Sequence, residues 1–273
     1  MKYADLHIHS TFSDSSFSCE DICKRAYAEK LACISIADHD SLDAYLNDGL
    51  EALSEKYSLE VLRGIEFSTE HEEKEVHLLG YFADNRISED FLALLDKLKA
   101  DRLTRIVEMI EKLSELGIAL DRDEFKAFAG GGSISRLHLG VFLQSKNIVC
   151  DINQAFKKYV GVGKPAYVSK FRYKLAEGIK ILKTAGALVF LAHPRNLFGF
   201  DQIKELAALG LNGIEAFYPS YSPSLIEKYI DLGRKSNLLI AGGSDSHGKY
   251  KRQTIGVIKM PYEHVEKIKA ALR

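Results

Sequence analysis

Short apolar runs that each meet a histidine or an acidic residue recur from the start of the chain to its end, and they constrain its fold more than any other feature. His7 and His9 close Tyr3-Ala4-Asp5-Leu6-His7-Ile8-His9, Asp38 and His39 close Cys33-Ile34-Ser35-Ile36-Ala37, and Glu66 closes Val61-Leu62-Arg63-Gly64-Ile65. His77 opens Leu78-Leu79-Gly80-Tyr81, His193 closes Leu188-Val189-Phe190-Leu191-Ala192, and Asp245 with His247 follows Leu238-Leu239-Ile240-Ala241-Gly242-Gly243. Short apolar runs bounded by turn residues read as buried strands. Ligand-type residues at so many strand ends, converging on one face of a sheet, suggest a metal cluster.

Between the runs the apolar spacing turns helical, which argues for βαβ units and a mostly parallel sheet. Strands are expected near residues 3–8, 33–37, 59–65, 76–82, 187–192, 213–217, 238–242 and 255–258. Ser18, ahead of Glu20 and Asp21 and of Ile22, Ala26 and Leu31 at helical spacing, marks the N-cap of a first crossover helix. Ser41 opens a second, with Leu42, Tyr45, Leu46, Leu50 and Leu53. The strand-end residues then fall in βα loops, the face where α/β folds place their chemistry.

The rhythm changes over 85–175, where helical patterns follow one another without strands. Gly117 ends the first, Ala129-Gly130-Gly131-Gly132-Ser133 forms a turn, and further helices are expected over 134–144 and 152–160. This stretch reads as an inserted helical cap, residues 1–84 and 176–273 forming the main domain. Glu70-His71-Glu72-Glu73-Lys74-Glu75 is expected to be an acidic surface turn.

Composition narrows the partners. With 46% hydrophobic residues in 273 and a formal net charge of -1, the chain can bury a sizeable core and has no global field to attract nucleic acid or an anionic membrane. No apolar run approaches the roughly 20 residues of a membrane span, and Met1-Lys2-Tyr3-Ala4-Asp5 lacks the apolar segment of a secretory signal. A cytoplasmic location is the expected default. Cys19, Cys23, Cys33 and Cys150 show no CxxC spacing and are expected to be reduced and partly buried.

Residues two apart on a strand face one side, so His7 and His9 can address one ion, although two imidazoles on a strand face can equally be hydrogen-bonded core residues. Asp14, between Ser13 and Ser15, can serve a turn. Asp38-His39-Asp40 says more, because carboxylates beside an apolar run need a cation or hydrogen bonds. Glu66 and His77 can share a face of a hairpin, and a bridging Glu can bind two divalent ions. Pro194 stops the chain after His193 from continuing as a helix, and Gly242-Gly243-Ser244-Asp245-Ser246-His247-Gly248 puts DxH in a glycine-rich turn that allows close backbone approach.

Taken together, Asp5-Leu6-His7-Ile8-His9-Ser10 with Asp14, Ala37-Asp38-His39-Asp40-Ser41, Gly64-Ile65-Glu66-Phe67-Ser68, His77-Leu78-Leu79-Gly80-Tyr81, Ala192-His193-Pro194 and Gly243-Ser244-Asp245-Ser246-His247-Gly248 resemble the PHP (polymerase and histidinol phosphatase) superfamily over nearly the whole chain. The resemblance is strongest to its small bacterial metal-dependent phosphoesterases. It implies an α/β fold, a distorted seven-stranded TIM-like β/α barrel with a helical insertion, and two to three divalent ions, Mn, Zn or Fe, at the strand ends. By motif, His7, His9, Glu66 and Asp245 would hold one ion, Glu66, His77 and His193 a second, and Asp14, His39 and His247 a third. Asp38 would orient a ligand. The implied reaction is hydrolysis of a phosphate ester by hydroxide held between ions. Arg136 and His138 match an Arg-x-His element that would bind a substrate phosphate. Lys164, Tyr167, Lys170 and Arg195 could hold a second phosphate or a ribose, although both lysines read more readily as ordinary surface charge.

Relatives often carry a His where this chain has Tyr221, which would alter substrate choice or rate and leave metal binding intact. His71 and His264 match no motif and are expected to be solvated. Three functions fit: a phosphatase removing the 3′-phosphate of a nucleoside 3′,5′-bisphosphate, or a 5′→3′ exonuclease of short oligonucleotides; a small-molecule phosphatase acting on a compound such as histidinol phosphate; and a non-catalytic metal-stabilised module that binds nucleic acid or a polymerase. The expected partner is a phosphorylated small molecule or short oligonucleotide, with no membrane and no stable duplex binding.

Overall fold

The structure, a computed structural model, describes residues 2–47, 49–83, 87–195 and 197–273. These residues form ten strands that pair into two sheets. The first, in the order β10-β1-β2-β3, joins β1 (Tyr3–Ile8), β2 (Cys33–Ile36), β3 (Glu60–Val61) and β10 (Met260–Pro261). The second, in the order β6-β4-β5-β7-β8-β9, joins β4 (Arg63–His71), β5 (Lys74–Phe82), β6 (Tyr173–Lys174), β7 (Leu188–Leu191), β8 (Gly213–Phe217) and β9 (Leu239–Gly242). Among the described residues two single bridges, Ile8 to Ser246 and His39 to Glu66, connect the sheets. The fold is mixed α/β, and among the described residues the expected barrel is not closed by continuous strand pairing.

The strand expectations hold with three corrections, the first being that the run expected over 59–65 splits into β3 of the first sheet and β4 of the second. β4 and β5 run on as a hairpin, so Glu66 and His77 lie inside strands and not at their ends. Ser68 faces His77 across the ladder and Glu66 faces Leu79, which makes Glu66 and His77 diagonal neighbours on one face. Residues 255–258 form a turn: Gly256 adopts φ 75, and its N–H donates to the Asp5 carboxylate at 2.9 Å where a strand partner would be needed.

Helices cover the sheets: α1 (Cys19–Ala28), α2 (Asp43–Asn47) and α3 (Leu50–Lys56) on the first side, α8 (Leu175–Thr184), α9 (Phe200–Ala208), α10 (Pro223–Lys235) and α11 (Glu263–Leu272) later in the chain. Ser18 caps α1 through a reciprocal bond pair with Asp21. Ala4, Leu6, Cys33, Leu79, Tyr81, Phe190 and Ala241 from both sheets pack with Val265 and Ile268 of α11. The intervening helices are α4 (Glu89–Glu115), capped by Ser88, α5 (Arg122–Ala129), α6 (Arg136–Ser145) and α7 (Ile152–Ala155), which passes into one π-helical turn, Phe156–Val160. These elements bury a separate cluster that includes Ile106, Met109, Leu113, Phe125, Phe142 and Val160. The expected boundary at Asp84 and Asn85 lies outside the described residues.

Candidate metal centre

Glu66 is the hub of the site. Its Oε2 lies 3.4 Å from His7 Nε2, 3.2 Å from His9 Nε2 and 3.0 Å from His39 Nδ1, and its Oε1 lies 2.8 Å from His77 Nδ1 and 2.9 Å from His193 Nε2. Asp245 Oδ1 lies 3.2 Å from His9 Nε2, and Asp14 Oδ1 lies 3.1 Å from His247 Nε2. The contributing elements are β1, the loop after β2, the β4–β5 hairpin and the segments after β7 and β9. Gly243 lets the last of these close in: a Cβ there would stand 2.3 Å from the His7 amide nitrogen. His193 and Asp245 sit at positive φ, 26 and 50, backbone strain that the packing holds.

Two of the three expected ligand groups reappear as compact sets. His7, His9, Glu66 and Asp245 bring donor atoms within 4.8 Å of one another, as do Asp14, His39 and His247, now with His9 added. The remaining expectation, Glu66 with His77 and His193, divides: His39, Glu66 and His77 form one set, and His193 groups with His7 and Glu215. No thiol enters these sets: Cys19, Cys23 and Cys33 are buried elsewhere and Cys150 is exposed.

These residues fit divalent ions on three counts. His7 Nε2, His9 Nε2, Asp14 Oδ1, His39 Nδ1 and Glu66 Oε2 are buried without hydrogen-bond partners, which a protein does not normally tolerate. The rings are turned inward by bonds on their far side. His7 Nδ1–H donates to Glu215 Oε1 at 2.9 Å, His9 Nδ1–H to Ser13 Oγ at 3.3 Å and His247 Nδ1–H to the Asp245 carbonyl at 2.9 Å, leaving each Nε2 lone pair free for an ion. Charge agrees. Burial opposes protonation of His9 and His77, yet the carboxylates around them raise both to about 9, so the cluster demands positive charge. Glu66 is likewise held well below the usual carboxylate range, with burial overcome by His77, His39 and His7.

Asp38 enters none of these donor sets. It accepts from the Ser10 amide at 2.8 Å and from the hydroxyls of Ser10 and Ser13, so it acts on His9 through Ser13 and accepts no imidazole proton itself. Sequence reasoning missed three residues of this kind. Glu215, fully buried in β8, also accepts the His193 N–H at 2.7 Å, and an acid inside an apolar strand was the available signal. Glu75 leaves the expected surface turn to meet His77 Nε2 at 3.4 Å and Arg172 Nε at 3.3 Å. Asp40, at φ 48, takes both Nε and Nη2 of Arg102 and the Lys170 ammonium.

The ligands open onto a cavity of about 500 Å³ that also has Arg136, Lys170, Arg195 and Lys251 in its walls. Arg136 stacks on Tyr167 with its carbon 5.4 Å from the ring centroid. Lys170 is buried against Asp40 at 3.1 Å, so the surface-charge reading fails for it, while Lys164 is exposed and lies off the cavity wall. His138 is buried and accepts the Ser135 N–H on Nδ1, and the Ser135 hydroxyl donates to Asp14 at 2.7 Å. Tyr221 accepts the Arg195 N–H at 2.8 Å. His264 is not solvated: it is buried with its ring 5.5 Å from that of Phe217. His71 is half-buried beside Phe198.

The PHP domain family model matches residues 5–162. A 5′-3′ exoribonuclease of Haemophilus influenzae is 34% identical over 71% of this chain and 69% of its own. A 3′,5′-nucleoside bisphosphate phosphatase of Chromobacterium violaceum is 30% identical over 90% of this chain and 88% of its own. The crystal structure of a Bifidobacterium adolescentis protein described as a putative metal-dependent phosphoesterase superposes with a TM-score of 0.90 at 27% identity, covering 98% of this chain and 96% of that one. The chain belongs to the PHP domain family. It is an enzyme, a metal-dependent phosphoester hydrolase, which removes the reading as a non-catalytic module. No described helix is long and apolar enough to cross a membrane.

Proposed function

We propose that the enzyme acts on nucleotides, removing the 3′-phosphate of a nucleoside 3′,5′-bisphosphate or trimming short oligonucleotides from the 5′ end. One observation carries the reading. The inward-turned ligands share their cavity with Arg136 and Lys170, which lie beside Glu75 and Asp40, and with Arg195 and Lys251, which lie beside Tyr218 and Asp245, so two groups of cations are available to a substrate with two anionic groups. The relatives named for these reactions support it.

In this reading two to three divalent ions, Mn, Zn or Fe, would be held by His7, His9, Glu66 and Asp245, by Glu66 with His77 and His193, which both lie beside its Oε1, and by Asp14, His39 and His247. Bound ions of this type polarise phosphoryl oxygens and acidify water. The chain's own groups do the rest. Arg136 presents a forked pair of donors to the phosphate, and Tyr167 holds the guanidinium plane by stacking. His138 fixes Ser135, which fixes Asp14, so His138 orients a ligand at the same helix start that aims Arg136. Tyr218 donates to Asp245 at 2.8 Å and holds that carboxylate in place. Tyr221 positions Arg195 through its backbone, which gives the Tyr-for-His difference a role in substrate placement. In this reading residues 85–175 act as the cap, and β1, β2, β4, β5, β7, β8 and β9 would supply the seven strands of a distorted barrel, with the two single bridges between the sheets.

The test is phosphate release by Mn-reconstituted protein on adenosine 3′,5′-bisphosphate, 5′-mononucleotides, histidinol phosphate and short RNA, with His193→Ala as control. Preference for the bisphosphate or the RNA, lost in the variant, is expected. Preference for histidinol phosphate would replace the nucleotide reading with the small-molecule one.

A further inference from the structure

Glu75 is a carboxylate in a wall of the cavity that also carries Arg136, Lys170, Arg195 and Lys251. The two-residue period of a strand puts it on the face of His77, further along β5, while Glu72 and Glu73, at φ 49 and 61, make the exposed turn before it. Its Oε1 lies 3.4 Å from His77 Nε2 and 3.3 Å from Arg172 Nε, and its Oε2 lies 3.7 Å from Arg136 Nη2. The side chain is 33% exposed, so it stays in contact with the contents of the cavity.

Distance separates this contact from the other carboxylate–guanidinium pair beside the cavity. Arg102 grips the buried Asp40 with Nε and Nη2 at 3.0 and 2.5 Å. Glu75 is shared between two guanidiniums at longer range, and Arg172 Nε makes no hydrogen bond. Arg136 is held by rings: its guanidinium carbon lies 5.6 Å from the Phe156 centroid and 5.4 Å from that of Tyr167. Its polar partners among the described residues are the Val160 carbonyl at 3.5 Å and Glu75. Aromatic faces hold a guanidinium without using up its N–H donors. A phosphate that offers two oxygens to that fork, and more charge, outcompetes a carboxylate 3.7 Å away.

We propose that Glu75 is the resting counter-anion of Arg136: a substrate phosphate takes its place, and the carboxylate regains the guanidinium as phosphate leaves, so Glu75 sets how tightly the enzyme holds phosphate. The proposal rests on the reading of Arg136 as a phosphate ligand and adds a residue the sequence placed in a surface turn. A charge of like sign beside bound phosphate weakens the hold on substrate and product alike, which shortens the stay of the inorganic phosphate left after hydrolysis. A carboxylate present only to support His77 would have the opposite signature, because its removal would loosen the site.

The experiment measures inhibition of p-nitrophenyl phosphate hydrolysis by inorganic phosphate. Wild type, Glu75→Gln, Glu75→Ala, Arg136→Ala and the Glu75→Gln, Arg136→Ala double variant are compared at Mn concentrations that fill each protein, with bound metal assayed in the same samples. Both Glu75 variants are expected to lower Ki for phosphate about three- to fivefold, the scale of one half-exposed charge contact, and to lower KM in step. In the Arg136→Ala background the Glu75 substitution should change Ki by less than about twofold, since the charge it removes then has no guanidinium to occupy. A Ki unchanged or raised in both Glu75 variants, an equal gain without Arg136, or Glu75 variants that cannot be loaded with metal would overturn the proposal. Arg136→Ala alone should raise Ki. If it does not, the reading of Arg136 fails and the proposal with it, whereas a raised Ki beside inert Glu75 variants removes the proposal alone. Inorganic phosphate carries no nucleoside, so the nucleotide reading is decided separately, by the substrate panel.

Discussion

At the scale of single residues, the side chains that set the imidazoles matter as much as the imidazoles themselves. Glu215 fixes the His7 ring and the His193 backbone at once. Glu215→Gln keeps the shape and removes the charge, so metal affinity is expected to fall about 10–100-fold, read as metal content after dialysis against graded chelator. Unchanged metal content would show that His7 is held by packing alone. Lys170 carries a pH signature. Burial, then Arg102, bring its pKa down to about 8, so it is cationic below that pH and neutral above. KM for a phosphate substrate should rise as pH passes 8, and Lys170→Arg should move that limb out of range; a limb unmoved by the variant would assign it elsewhere. His7, His9, His39, Glu66, His77, His193, Asp245 and His247 were legible as candidates because each sits at or near an apolar run, and Asp14 only through the family resemblance. Glu215, Glu75 and Asp40 were not, because their partners are set by the fold: Asp40 meets Arg102 across 62 residues of chain and His7 meets Glu215 across 208.

At the scale of elements, α4 is tied to the ligand-bearing loop after β2 by the buried Arg102–Asp40 contact. Arg102→Ala would leave Asp40 with Lys170 as its only cationic partner among the described residues, and a loss of about 3 kcal/mol is expected, a fall in Tm of roughly 6–12 °C. Lys174→Ala, which removes an exposed pair with Glu70, should cost under about 1 kcal/mol; equal losses for the two would sink the distinction. The pair also sets a pH window. Burial raises the Asp40 pKa, but Lys170 and Arg102 outweigh it and hold the carboxyl well below its ordinary 3.8. Its contribution is therefore complete above that value and drains away only as pH falls further toward the folded pKa. Apolar spacing located most strands and the helical insertion, since burial alone dictates that pattern. It failed where hydrogen bonding decides, in the β4–β5 extension past Glu66 and in the turn at Gly256 held by Asp5.

At the scale of the whole molecule, the buried donors of the centre make folding depend on metal. At free metal about 100 times Kd the native state gains about 2.7 kcal/mol, so chelation should lower Tm by several degrees and re-addition of Mn should restore it. A Tm indifferent to chelator would mean the cluster is stable with protons alone. The two sheets meet through single backbone bridges, at Ile8 with Ser246 and at His39 with Glu66, and the residues on either side of both seams belong to the ligand sets. Ions bound there would work as rivets as well as reagents: stripping them should speed amide hydrogen exchange along these two seams while the paired interiors of β4, β5 and β7 stay protected.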